Sequence, residues 1–426
     1  MNKILALIKD KHVKISFIVA ILLSVLGYFT NNWALFTGET LSLYTFIEWG
    51  RNLLEEDDDY SGAFFVNTSM DKQLIDVYRD GNIVGQTAVT DRHKLLKFLK
   101  LLKQTDYEYV VIDISFAEEL SRDSDSVGVK IDTELFDLIK SMDRCVVATS
   151  REMKLLGGLK SKAALATYKS TVNASNFVRY EYFDSIPSIP IKVYNDIRKG
   201  QGLDTIDYSN GVLYHEGGRL CQNSLFLEFS AKSFSKTKKA QTELGNFMII
   251  EKNNYRDIGF DYLDNMEIFS EEEVLKNLQA EMKEYSKEGR PIVLIGNLTE
   301  DLHNTYAGLQ PGVIILYKAI RALQEGRHIV NPFNVLFLFV AYFLICLFIL
   351  KDKPLSLPIP REVRFKYPFV ALMCQFISLS MILLVLEFIE ITFFNVTTNF
   401  ILTILLFNTL KLYVQFKKNR YNETGD

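Results

Sequence analysis

Residues 289–326, GRPIVLIGNLTEDLHNTYAGLQPGVIILYKAIRALQEG, join a buried strand, a polar loop and a helix to an apolar segment. Residues 291–296 form a short run rich in Ile and Val, bounded by glycine, which predicts a strand covered on both faces of a parallel sheet. A helix is predicted to begin at Gly312 and to end at Gly326. Only a few residues then separate this helix from the apolar segment that begins near Pro332, so a change in the loop has a short route to the membrane.

Three strands and two helices precede this stretch in alternating order. Apolar runs predict the strands, and helical spacing of apolar residues after an N-cap candidate predicts the helices. The predicted order is a strand at residues 62–68, a helix within 87–106 capped at Thr90 or Asp91, a strand at 109–116, a helix at 132–142 and a strand at 145–149. Short right-handed crossovers between such elements give a parallel sheet covered on both faces, a three-layer α/β domain.

The interior of this domain, residues 151–263, has weak periodicity. It predicts an insertion with short strands, such as 224–229 and 247–251. A strand at 266–269 follows, and Ser270 with three glutamates after it predicts the start of a long helix, because a serine N-cap and first-turn acids stabilise a helix N-terminus. Cys145 and Cys221 lie in the same domain, and the sequence leaves open whether they form a disulfide.

Four apolar runs are each long enough to cross about 30 Å of hydrocarbon as helices. Lysines and arginines flank the same side of all four runs, and the positive-inside rule places that side in the cytoplasm. The first run lacks a good signal-cleavage site, which favours a retained anchor. The predicted order is a cytoplasmic stub (1–14), a first span (15–36), an extracytoplasmic domain (37–330), a second span (332–350), a basic cytoplasmic loop (351–368), third and fourth spans (369–390 and 397–416) and a cytoplasmic tail (417–426).

Polar side chains follow two of the predicted strands at their carboxyl ends, where open α/β sheets place their ligand crevice. Asp113 comes at the end of one strand, and Asp301, His303 and Thr305 lie in the loop after the other. Together with Arg92, they form the predicted ligand-binding site. None of these residues is expected to be catalytic.

Other interpretations of these side chains stay open. Asp113 also suits a structural ion pair with Arg92, since carboxylates with shifted pKa values occur in structural networks as well as in sites. The D-x-H spacing of Asp301 and His303 is one that a metal site can use, but three or four converging ligands are needed. A hydrogen-bonded loop fits that spacing equally, and we expect no metal and no cofactor.

Composition and motifs argue against several function classes. The formal net charge is −4 at pH 7 and no basic–aromatic stripe is present, so nucleic acid is not an expected partner. Residues 157–162, GGLKSK, lack the spacing of a phosphate-binding P-loop, and the sequence contains no G-x-S-x-G elbow and no C-x-x-C pair. The predicted cytoplasmic segments are too short to bury the core of a catalytic domain.

Several motifs resemble the type-2 CHASE domain, a family of extracellular sensors associated with cyclases and histidine kinases. They are TDRHKLLKFL at 90–99, YVVIDISF at 109–116, RPIVLIG at 290–296, DLHNT at 301–305 and QPGV at 310–313. The resemblance covers most of residues 37–332 and is poor at 151–263. It implies one span before the domain and three after it. It implies no established ligand and no catalytic residues.

The resemblance predicts a sensor in the bacterial cytoplasmic membrane, with both termini cytoplasmic and the large domain periplasmic. In that family a cyclase, kinase or phosphatase module usually follows the last span. None follows here, so we expect a separate cytoplasmic effector to respond to an unknown small-molecule or envelope signal. A homodimer fits such signalling. Two alternatives are a membrane-anchored envelope hydrolase using Asp113, Asp301 and His303, and a structural subunit of an envelope complex.

Overall fold

The structure is a computed structural model, and it describes most of the chain. The described residues are 10–30, 60–79, 82–116, 126–150, 155–166, 179–182, 186–209, 213–227, 241–247, 270–286, 289–305, 308–351, 368–394 and 400–424. The predicted strand at 266–269 and most of that at 247–251 lie outside these residues.

A six-stranded parallel sheet forms the centre of the domain between the first two apolar helices. The sequence predicts a parallel sheet and four of its strands, but not the strands at 163–165 and 241–243. Its strands are β1 (Ala63–Asn67), β4 (Tyr109–Asp113), β5 (Cys145–Thr149), β6 (Ala163–Leu165), β12 (Gln241–Glu243) and β13 (Ile292–Gly296). Their order across the sheet is β12-β1-β13-β4-β5-β6, and every neighbouring pair is parallel. The strand predicted at 291–296 is thus β13, which lies between β1 and β4 with all its residues buried.

Alternate side chains of the strands enter two separate apolar clusters, because successive residues of a strand point to opposite faces. Phe65, Val111 and Leu294 pack in one cluster with helices α4 (Ile189–Gly200) and α6 (Gly312–Gln324). Phe64 and Val293 pack in the other with α2 (Arg92–Leu102), α3 (Ser126–Ser141) and α5 (Glu271–Tyr285). Both faces of the strands are therefore apolar, which explains why their sequences are continuous hydrophobic runs.

The two helix starts predicted from N-cap residues are confirmed. Asp91 caps α2, and its side chain accepts hydrogen bonds from the backbone N–H groups of His93 and Lys94. Ser270 caps α5 in a capping box with Glu273, in which each side chain bonds the other residue's backbone N–H. These caps satisfy N–H groups that the helices leave without intrahelical partners.

Several elements were not predicted. An antiparallel hairpin, β2 (Lys72–Arg79) and β3 (Asn82–Thr90), precedes α2. The insertion contains α4 and the strands β7 (Arg179–Glu181), β8 (Ile206–Ser209), β9 (Leu213–Glu216) and β10 (Arg219–Leu220), whereas β11 (Ser224–Phe226) falls within the strand predicted at 224–229. Residues 297–310, predicted as a loop, contain a second hairpin, β14 (Leu302–Thr305) and β15 (Gly308–Pro311). Cys145 and Cys221 are free and buried, so they form no disulfide in this structure.

Two helices in the described part of the chain are long and apolar enough to cross a membrane. They are residues Lys11–Phe29 of α1 (Lys11–Thr30) and all of α7 (Pro332–Leu350), judged by length and composition, criteria that a signal sequence also meets. The predicted third and fourth spans coincide with α8 (Pro368–Phe394) and α9 (Phe400–Thr424), whose crossing stays a prediction.

All four of these helices contribute to a single apolar cluster. Ala20 of α1, Tyr342 of α7, Leu383 of α8 and Phe407 of α9 are among its buried residues. Asp10, the residue before α1, forms an ion pair of 2.8 Å with Lys351, the residue after α7. Glu387 and Glu390 of α8 are also buried.

Gly296 allows the first turn of α6 to approach β13 closely. A Cβ at this position would lie 2.5 Å from Val313 Cγ1. We predict that Gly296→Ala lowers the free energy of unfolding by about 1–3 kcal/mol, as overpacking a core does. Adding Val313→Ala removes the obstructing methyl groups, so the double variant should lose less stability than the sum of the single variants. Thermal or denaturant unfolding of the full chain in detergent measures this coupling, and strictly additive losses would contradict the close contact.

Candidate functional site

The predicted site lies at the carboxyl edge of the central sheet, where two neighbouring strands end together. Asp113 is the last residue of β4 and pairs in register with Gly296, the last residue of β13. The hairpin β14–β15 then follows β13, and α6 begins directly after the hairpin. This order carries the polar side chains of the hairpin back over the end of β4, which is where such sheets place their ligands.

The hairpin fixes the orientation of its polar side chains. His303 pairs with Gln310, and Thr305 pairs with Gly308. Directly opposite residues of an antiparallel pair share a face, as do residues two apart on a strand. His303, Thr305 and Gln310 therefore lie on one face of the hairpin. At its base, the backbone N–H of Gly312 donates to the carbonyl oxygen of Asp301 at 3.0 Å, which closes the turn into α6.

Asp113, Asp301 and His303 converge on Gly312, and we call these three side chains the sheet-edge cluster. His303 Nε2 lies 3.1 Å from Asp301 Oδ1. A Cβ on Gly312 would lie 2.5 Å from Asp301 Oδ2, 3.3 Å from His303 Nε2 and 3.4 Å from Asp113 Oδ2. The first residue of α6 therefore has to be glycine for these side chains to meet. The sequence prediction that they come together is supported by this geometry.

The environment of the cluster shifts two pKa values in the same direction. Burial, followed by the negative charge of Asp301, raises the pKa of Asp113 to about 7, against a weaker opposing effect of His303. The hydrogen bond to Asp301 raises the pKa of His303, while burial opposes it. Near neutral pH the cluster therefore holds a carboxyl group close to half-ionisation beside the hydrogen-bonded side chains of Asp301 and His303. Such a group can exchange a proton with little energetic cost.

Two further polar groups lie at this cluster and were not predicted. The Tyr180 hydroxyl is buried, has no hydrogen-bond partner in the described part of the chain, and has its pKa raised by burial and by the charge of Asp113. Gln310 Oε1 is likewise buried without a described partner, on the hairpin face that carries His303. Tyr180 lies in the weakly patterned insertion, so no periodicity pointed to it.

The other two predicted site residues have structural partners. Arg92 is buried in an ion pair with Asp132, with Arg92 Nη1 2.6 Å from Asp132 Oδ2, and so ties the start of α2 to α3. The structure therefore pairs Arg92 with Asp132 and not with Asp113, the partner that the sequence left open. Thr305 is buried in the hairpin. Within the described residues, no group of three or more His, Cys, Asp or Glu side chains is arranged to hold a metal ion.

A second polar cluster, which the sequence did not reveal, lies between α6 and α7. Its members are Glu216, His328, Tyr194, Arg198 and Arg219, and we call it the juxtamembrane cluster. His328 Nε2 makes a short contact with Glu216 Oε2, and the side chains of both residues are only 1% exposed. Arg198 Nη2 lies 2.8 Å and Arg219 Nη2 3.6 Å from Glu216 Oε1.

Burial and hydrogen bonding hold the imidazole of the juxtamembrane cluster in place. The Tyr194 hydroxyl donates to Glu216 Oε2 at 3.1 Å, and the Tyr194 ring packs edge-on against the His328 ring. Burial lowers the pKa of His328, although the hydrogen bond with Glu216 opposes this shift. A neutral imidazole that donates to the carboxylate is the arrangement we infer, with two arginines balancing the charge of Glu216.

The same region contacts one end of each of the two membrane-spanning candidates. Residues 219–223, the juxtamembrane segment, run beside the start of α7: the N–H of Gln222 donates to the His328 carbonyl at 2.6 Å, and the N–H of Val330 to the Leu220 carbonyl at 2.9 Å. The Tyr28 hydroxyl of α1 donates to the Cys221 carbonyl at 2.8 Å. The segment thus links the end of α1 to the beginning of α7.

Comparisons with known proteins assign no family to the chain. No protein-family model matches it, no curated protein matches it, and no solved structure matches it. The resemblance to the type-2 CHASE family therefore stays a prediction from the motifs.

The raised pKa of Asp113 predicts a pH-dependent stability. Because the folded state binds this proton more tightly than an unfolded Asp does, the stabilisation is full below about pH 4 and is lost as the pH rises through about 7. The substitution Asp113→Asn mimics the protonated form. The stability of this variant should match the wild type near pH 4 and exceed it by on the order of 1–3 kcal/mol at pH 8.

The melting temperature of the full chain in detergent, followed from pH 4 to pH 8, measures this difference. Asp137→Asn is the matched control, because Asp137 is exposed and pairs with exposed Lys140 on the same helix. Parallel pH profiles for wild type and Asp113→Asn would contradict the raised pKa.

Proposed function

We propose that this chain is a membrane-bound extracytoplasmic sensor that passes a signal through its spans to a separate cytoplasmic effector. In this proposal a three-layer α/β domain of the type-2 CHASE kind lies between one N-terminal and three C-terminal spans, with both termini in the cytoplasm of a bacterium. The observation that carries the proposal is α6, which begins inside the sheet-edge cluster and is separated from α7 only by residues 325–331.

Helix α6 is suited to transmit a displacement along its length. It has 13 residues and so extends about 20 Å. Ten of its residues, from Gly312 to Leu323, are buried against the sheet and α4, so it moves with its surroundings as a packed body. A ligand that shifts Asp301 acts on its first residue, since the N–H of Gly312 donates to the Asp301 carbonyl oxygen at 3.0 Å.

The juxtamembrane cluster keeps the connection from α6 to α7 stiff. Without it, residues 325–331 would be a flexible tether and a movement of α6 would be lost. Leaving a buried hydrogen-bonding group without its partner typically costs about 1–3 kcal/mol. Glu216 and His328 are both buried and bonded to each other, so they hold this linker in one arrangement. A signal reaches the spans only if the ligand binds two states of the domain with different affinity. A stiff linker carries the difference in the position of α6 between those two states on to α7.

A second candidate function rests on the half-ionised carboxyl group. An acid with a pKa near 7 beside a hydrogen-bonded aspartate and histidine is typical of general acid–base catalysis, so a membrane-anchored envelope hydrolase is the alternative. Hydrolysis by the purified full chain that is lost in Asp113→Asn would favour the enzyme. Retention of signalling together with no hydrolysis would favour the sensor.

A photo-cross-linking experiment tests the sensor. A benzoyl-phenylalanine at Arg361, in the predicted basic cytoplasmic loop, should capture a cytoplasmic protein in the source cells. Glu216→Gln removes the carboxylate that bonds to His328 and pairs with Arg198 and Arg219, so the linker between α6 and α7 becomes less rigid. We predict that the cross-linking yield then changes about fivefold, the range of typical allosteric couplings.

Glu325→Gln is the matched control, because it makes the same chemical change in the same linker at a solvent-accessible ion pair with Arg327. Its cross-linking yield should stay at the wild-type level. Capture of no cytoplasmic protein, or an unchanged yield in a Glu216→Gln protein that still reaches the membrane folded, would refute sensing in trans.

A further inference from the structure

The sheet-edge cluster has the chemistry of a cation site. We propose that Asp113, Asp301, Tyr180 and Gln310 together bind the primary ammonium group of a small organic amine. This inference rests on the proposed function in one respect: the amine would be the signal that the sensor detects. Binding itself is independent of that function and can be measured without it.

The balance of charge favours a cationic ligand. Two carboxylates face a single imidazole, and no lysine or arginine in the described part of the chain forms an ion pair with Asp113 or Asp301. An anion would meet net repulsion at this position. A cation would favour full ionisation of the half-ionised Asp113 carboxyl group and supply its counter-charge in a partly buried environment, where charges interact more strongly than in water, whereas a neutral ligand supplies none.

The hydrogen-bonding groups favour a ligand that donates. The Tyr180 hydroxyl and Gln310 Oε1 are buried and make no hydrogen bond within the described residues, and burial and charge, rather than hydrogen bonds, shift the pKa of the Asp113 carboxyl. Gln310 Oε1 and the carboxyl oxygens accept, and the hydroxyl oxygen can accept as well. A primary ammonium carries three N–H donors and no acceptor, so it can donate to several of these acceptors at once and needs no donor from the protein. Hydrogen bonds from a charged donor to a carboxylate are also stronger than those from a neutral hydroxyl.

The exposed members of the cluster define the route of entry. The side chains of Asp301 and His303 are 46% and 29% exposed, whereas Tyr180 and Gln310 are almost fully buried. An amine therefore meets Asp301 first and Asp113 beneath it. Binding would draw Asp301 away from His303 and towards the ammonium, which moves the side chains that contact Gly312. The ligand would thereby act on the first residue of α6.

The test uses the full chain in nanodiscs of phosphatidylcholine, a lipid without net charge, so that the membrane does not attract amines. 1,4-Diaminobutane is the probe, and 1,4-butanediol, which has the same length and a neutral hydroxyl at each end, is its matched control. Calorimetric titration at pH 7.5 should show saturable binding of the diamine. Binding of the diol should be weaker by about tenfold or more, the difference between charged and neutral hydrogen bonds.

Three variants locate the binding. Asp113→Asn should weaken diamine binding by about tenfold or more, and Tyr180→Phe, which removes one hydroxyl without changing the shape of the core, by about tenfold. Asp137→Asn, an exposed position on α3, changes the net charge equally and should bind as the wild type does.

The proposal is overturned if the diamine does not saturate the protein at about 10 mM, roughly the weak end of specific binding. It is equally overturned if the diol binds as tightly, or if neither Asp113→Asn nor Tyr180→Phe weakens the diamine. Diamine binding without any change in the cross-linking yield at Arg361 would leave the amine site standing and refute the sensor instead. The two proposals thus fail by different observations.

Discussion

The contact between helix α6 and the middle of the sheet is the constraint on which the rest of the structure depends. Two glycines make it possible: Gly296 leaves room for Val313, and Gly312 leaves room for three polar side chains. The same contact that buries the apolar face of α6 therefore also brings Asp113, Asp301 and His303 together. Packing and the candidate site cannot be varied separately here, because the first turn of the helix serves both.

The parts of the fold that the sequence predicted are those with local causes. β13 and β5 are continuous apolar runs, and α2 and α5 begin at residues whose side chains bond their own first turns, so each can be identified from a few neighbouring residues. Helix α4 and the strands β7 to β10 of the insertion were missed because their burial depends on packing with distant segments. Glu216 and His328 illustrate this, since their contact joins residues 112 positions apart.

The sequence predicted some residues of the candidate site and missed others. Asp113, Asp301 and His303 follow strands that the sequence identified, and the carboxyl ends of parallel strands meet at one edge, so their convergence could be expected. Arg92 could not be assigned, because nothing local distinguishes a pairing with Asp113 from the observed pairing with Asp132. Tyr180 and Gln310 are recognisable only once the structure shows buried polar atoms that make no hydrogen bond within its described residues.

Helices α1 and α7 are fastened to each other at both ends. Asp10 pairs with Lys351 at one end, and the juxtamembrane segment bonds to Tyr28 and to the residues before α7 at the other. Sliding of one helix along the other would have to break both attachments together. Helices α1 and α7 are therefore constrained to tilt or rotate together as a single rod, rather than to slide past each other.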